Sequence, residues 1–89
     1  MKILISPLVE QKIKGFSEEA LKTFNVSILL IVGSAEKNQE LSGELKGIRL
    51  YKYLVEEDGM TEFWVTYRTG VGLLELLSIG VKGEYIKSF

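Results

Sequence analysis

The sequence predicts an α+β fold: an antiparallel meander sheet with an N-terminal strand and a helical hairpin packed on one face. Three observations carry that expectation. Apolar residues recur every three or four positions from Ala20 to Ala35, the period of a helix with one buried face. Two later segments of strand character, Ile48–Val55 and Thr61–Thr69, flank an Asp58-Gly59 turn signal, and a third, Leu73–Ile79, follows Gly70-Val71-Gly72. The chain opens with a short apolar run that Ser6-Pro7 closes.

Taken in order, Lys2 to Ile5 reads as that first strand. Pro7 then suits the first turn of a helix and Ser6 its cap. Leu8, Val9, Lys12 and Ile13 follow at helical spacing, and Gly15 supplies a stop. Ser17-Glu18-Glu19 is a second helix start, a capping hydroxyl with two carboxylates at the positive end of the helix dipole. The stripe that follows is Ala20, Leu21, Phe24, Ile28, Ile31, Val32 and Ala35. Within it the run Val26–Val32 also fits a buried strand, which periodicity alone does not separate from a helix; continuity with Leu21 favours the helix. Lys37 to Gly47 reads as a loop, Glu56-Glu57-Asp58-Gly59 as an acidic hairpin tip, and Lys82 to Phe89 as a last strand or a tail.

With 89 residues the chain is expected to form a single domain over 1–89. It has no Cys, so disulfides and Cys-ligated zinc are excluded, and no His, which removes the usual general base and the commonest metal ligand. Any acid–base chemistry falls to Lys, Tyr, Arg or carboxylates. The carboxylates at 56–58 are read as solvated, not as a metal site, and no cofactor is expected. The longest apolar run is far short of the ~20 residues of a membrane span. The first residues lack the pattern of a signal peptide, so the expected location is cytoplasmic and no membrane partner is expected. A net charge of −1 gives no long-range attraction to nucleic acid, so such binding must rest on a local patch.

The order of strand, helical hairpin, Leu41-Ser42-Gly43 loop and meander ending in Gly80, Lys82 and Tyr85 resembles the RelE/ParE toxin superfamily over nearly the whole chain. Ile48-Arg49-Leu50-Tyr51-Lys52 matches the family's strand of alternate basic residues, and Phe63-Trp64-Val65-Thr66-Tyr67-Arg68 its following strand. The resemblance implies the toxin of a toxin–antitoxin pair. In the RelE branch such a toxin is a metal-independent endonuclease that cuts mRNA on the ribosome; the alternative is a ParE-like or catalytically degenerate member that acts by docking to a protein such as gyrase. The implied partners are a cognate antitoxin and, for the enzyme, ribosome and mRNA.

On that resemblance the catalytic candidates are Lys52, Lys82 and Tyr85. Arg49, Trp64 and Arg68 are the candidate RNA or partner contacts. The last hairpin strand is expected to deliver Lys82 and Tyr85 to a solvent-facing edge. Where the family places an Arg in the middle strand this chain has Trp64, which stacks on a base but cannot stabilise a phosphorane. Strand alternation puts Trp64, Thr66 and Arg68 on one face and Phe63, Val65 and Tyr67 on the other, which is the expected helix-packing face. Tyr51 and Tyr53 beside Lys52 fit either a nucleic-acid surface or core plugs.

Overall fold

The computed structural model describes residues 2–56 and 59–82. In chain order these form β1 (Lys2–Ile5), α1 (Pro7–Ile13), α2 (Glu18–Ser34), β2 (Gln39–Glu40), a 3-10 turn at Gly43–Leu45, β3 (Arg49–Glu56), β4 (Met60–Gly70) and β5 (Leu73–Val81). The five strands make one sheet in the order β1-β5-β4-β3-β2. The class is α+β, as expected, but the sheet is mixed. β1 runs parallel to β5, so β5 is an interior strand and not an edge.

Ser6 explains where β1 goes. Its N–H donates to Leu76 O at 3.1 Å and its hydroxyl donates to Leu77 O at 3.0 Å, while the same oxygen caps α1 by accepting from Val9 N at 3.3 Å. One residue thus ends the strand, starts the helix and staples both to β5. Ser17 caps α2 in the same way, accepting from Ala20 N at 3.1 Å.

The core lies between the two helices and one sheet face. Val9 of α1 and Ala20, Phe24 and Ile31 of α2 pack on Tyr53 and Val55 of β3, Val65 and Tyr67 of β4, and Leu74, Leu76 and Ile79 of β5. Burying each large apolar side chain contributes about 1.5–3 kcal/mol. Two expectations are corrected. Leu21 sits on the helix shoulder and is exposed, whereas Ser27 lies in the buried stripe. Ser27 tolerates this because its hydroxyl donates to Thr23 O at 2.8 Å, one turn back.

The two-residue turn Val71-Gly72, with Gly72 at φ 64°, sets the β4–β5 register. That register slips once: Thr66 pairs with Ser78 but Tyr67 with Leu76, leaving Leu77 as a bulge. The extra residue keeps Leu76 and Ile79 on the same, helix-covered face. The segment read as a loop holds β2, whose two residues pair with Leu50 and Arg49.

Candidate functional site

No described helix covers the other sheet face, and alternation brings Lys52, Trp64 and Arg68 out onto it. Lys52 and Trp64 are direct cross-strand partners. The Lys52 ammonium lies 4.8 Å from the centroid of the Trp64 ring, a cation–π contact, and the indole N–H donates to Glu62 Oε2 at 2.8 Å. Trp64 is half-buried, with one cation and one carboxylate among its neighbours.

Arg68 is four residues further along β4. Counting back from the turn places it opposite Glu75, and its Nε donates to Glu75 Oε1 at 2.7 Å. The guanidinium side chain is 59% exposed, so the pair adds only about 0.2–1 kcal/mol to stability. It matters more for chemistry, because an anion must compete with Glu75 for this Arg. Between the two groups Thr66, fully buried, shares a short hydrogen bond with the Ser78 hydroxyl.

Arg49 is placed differently. It pairs with Tyr67 in register and points to the helix-covered side, where its guanidinium donates to Asn38 O at 2.7 Å and meets Glu40 at 3.4 Å. These contacts hold it on the face opposite Trp64 and Arg68. Lys82 directly follows β5 and is exposed. Tyr85 lies outside the described residues. Lys52 and Trp64 are thus brought together, Arg68 stands nearby in an ion pair, and Arg49 is on the opposite face.

The other tyrosines of the described sheet do not reach this face. Tyr51 and Tyr53 plug the covered side and Tyr67 is fully buried there. Burial pushes the Tyr53 phenol well above its ordinary value, with Tyr51 a lesser cause. It also raises Tyr67, against the opposing effects of the Asn38 hydrogen bond and Arg49. Neither is a proton donor for surface chemistry near neutral pH. Among the described residues no cluster of acidic side chains is arranged to hold a metal ion, and no helix is long and apolar enough to cross a membrane.

Sequence reasoning missed Glu62 and Glu75, the carboxylates that engage Trp64 and Arg68. The signal for Glu75 was present, because a two-residue turn between Gly70 and Leu73 fixes its position opposite Arg68. Glu62 follows from period-two alternation with Trp64. No protein-family model, curated protein or solved structure matches this chain.

Proposed function

We propose that this chain is the toxin of a toxin–antitoxin module of RelE/ParE type, with the sheet face that carries Lys52, Trp64 and Arg68 as its working surface and a cognate antitoxin as its partner. The order of elements and the quoted motifs support the reading. Of its two modes, docking to a protein target is supported best. The observation that carries this choice is the charge arrangement: Lys52 is held over Trp64, Trp64 is held by Glu62, and Arg68 is held by Glu75. Among the described residues such a balanced face has no free basic stripe of the kind that attracts a phosphate backbone. It does offer residue types that protein interfaces favour, an oriented aromatic ring and, further along the same strand, an Arg.

RelE-like cleavage of mRNA is the second reading, favoured by the exposed Lys52 beside Trp64 and by the exposed Lys82 just beyond β5. In that mechanism cationic and phenolic groups must activate the 2′-hydroxyl, stabilise the phosphorane and protonate the leaving oxygen, the roles assigned to Lys52, Lys82 and Tyr85. One experiment separates the modes. Wild type, Trp64→Ala, Lys82→Ala and Tyr85→Phe are expressed at equal levels, growth is followed, and mRNA ends are mapped on ribosomes. Docking gives growth arrest without new mRNA ends, abolished by Trp64→Ala and little changed by the other two. Cleavage that falls roughly 10²- to 10³-fold in Lys82→Ala moves the chain to the nuclease mode. No growth effect from the wild type in a host lacking the antitoxin overturns the toxin reading itself.

A further inference from the structure

The two edges of the sheet are protected unequally. β1 closes one edge with four residues and is ended by Ser6-Pro7. At the other edge β2 pairs only with Leu50 and Arg49. The rest of β3, Tyr51 to Glu56, has no described strand on that side, although β4 pairs with all of it on the inner side. Which backbone groups this leaves bare follows from β2. Leu41 N donates to Ile48 O at 2.8 Å and Gln39 pairs with Leu50, so by alternation the even-numbered residues of β3 turn their N–H and C=O toward the edge. Lys52, Leu54 and Glu56 therefore present donors and acceptors with no described ladder to join. Their side chains share the face of Trp64 and all three are exposed, Leu54 by 54%. Apart from its two charges the stretch carries none of the devices that blunt an edge against pairing, neither Pro nor bulge.

A second copy of β3 fits this edge when laid antiparallel and centred on Leu54. Lys52 then stands opposite Glu56, Leu54 opposite Leu54 and Glu56 opposite Lys52. In each pair the N–H and C=O of both residues face the partner, so each pair exchanges two backbone hydrogen bonds. The side chains match on both faces. On the Trp64 face Lys52 of each copy lies beside Glu56 of the other, and the exposed leucines meet. On the helix-covered face Tyr53 stands opposite Val55, a favourable aromatic and β-branched pair. Other registers match less well. A shift of one residue sets edge-facing groups against residues whose groups face β4, and every bond is lost. A shift of two sets Leu54 against Lys52 or against Glu56, and a parallel pairing sets like charges side by side. We infer that the chain forms a twofold dimer by antiparallel pairing of its β3 edges, the occupant of each edge being a second copy of itself. The axis stands perpendicular to the sheet, so the helices of both copies lie on the same face of one continuous sheet. The same segment is used twice and the contact closes on itself, as an isologous interface requires. It is only one strand wide, so it falls below the roughly 1,200 Å² of standard interfaces and the dimer is weak and concentration-dependent.

The test uses the full chain in sedimentation equilibrium from the micromolar to the millimolar range. Wild type is expected to pass from monomer to dimer and no further. Lys52→Glu and Glu56→Lys each set like charges opposite one another at both ends of the contact. Either variant alone is expected to raise the dissociation constant roughly tenfold or more, with the circular dichroism of the monomer unchanged. Mixed in equal amounts the two variants restore opposite charges at both ends, and the mixture is expected to associate at least as tightly as wild type. The backbone is read separately by Leu54→Pro, which deletes an N–H that faces away from β4 and is a substitution edge strands accept. It is expected to abolish the dimer. A wild type that stays monomeric throughout overturns the proposal. So does a dimer that is indifferent to the charge variants or survives Leu54→Pro, or a mixture that associates no more tightly than its two components do separately.

Discussion

The covered sheet face is closed in two different ways at its two ends. At the Phe63 end the seal is made of rings: Tyr53 stacks on Phe63 at 5.4 Å between centroids, Phe16 meets Phe63 edge-on at 5.3 Å, and Phe16 meets Phe24 at 6.3 Å. The Tyr53 hydroxyl in this cluster has no hydrogen-bond partner among the described residues. At the Tyr67 end the seal is polar. Tyr67 donates to Ala35 O at 2.6 Å and accepts from Asn38 Nδ2 at 2.9 Å, and Arg49 closes the ring of contacts by donating to Asn38 O. The same residue type is used as a plug in one place and as a bolt in the other. The bolt joins the end of α2 to the segment leading into β2, so this end also sets the path of the chain onto the sheet edge.

The largest effect that tests this contrast is Phe24→Ala. Phe24 is 1% exposed at the ring-sealed end, and its truncation should cost about 3–5 kcal/mol, near the whole stability of a small domain. A melting midpoint that barely moves would show that rings do not close that end. Next comes Tyr67→Phe, which keeps the ring and deletes the bolt. Leaving Ala35 O and the Asn38 amide short of a partner should cost about 1–3 kcal/mol, measured by denaturant unfolding. Tyr53→Phe is smallest and has the opposite sign, because removing an unpartnered buried hydroxyl should be neutral or stabilise by about 1 kcal/mol. If both tyrosine variants lose stability equally, the distinction between plug and bolt is gone.

Titration sharpens the same comparison. Both phenols are raised by burial, so above the ordinary tyrosine value of about 10 the unfolded chain loses protons that the folded chain keeps. Stability from this source is fully present below about pH 10 and is lost as pH rises beyond it. Melting midpoints from about pH 9 to 11 should fall, and Tyr53→Phe should flatten that fall. An unchanged slope in the variant would mean that Tyr53 does not titrate differently on folding.

Most of the elements were legible from the chain, for reasons that differ by region. Caps at Ser6 and Ser17 and the turn at Val71-Gly72 are local chemistry, so the helix starts and the last hairpin follow directly. The helical reading of Val26–Val32 and the assignment of Phe63, Val65 and Tyr67 to the covered face also agree with the structure. Long-range facts were not legible. The parallel seat of β1 depends on Ser6 meeting Leu76 and Leu77, and the two-residue β2 is too short to carry a period. Leu21 and Ser27 were misjudged because hydrophobicity was read without the helix angle that decides which residue faces the sheet. In the candidate site, Trp64 and Arg68 were placed on one face by alternation alone, whereas the seat of Lys52 opposite Trp64 depends on the register between β3 and β4. The side chain of Arg49 was not assigned a face from the sequence; it lies toward the covered side, where it meets Asn38 and Glu40.

The bond from the Ser6 hydroxyl to Leu77 spans 71 positions of a chain of 89, and it has a consequence for how the protein is born. The first strand emerges from the ribosome long before the strand that receives it has been made. Until Leu77 is synthesised, Lys2 to Ile5 are a largely apolar segment with no seat. Contacts this distant carry a high loop-closure cost and slow the search for the native state. Refolding of the whole chain should therefore be limited by the docking of its first residues onto its last strand, and chains halted before Leu77 should remain soft targets for proteases.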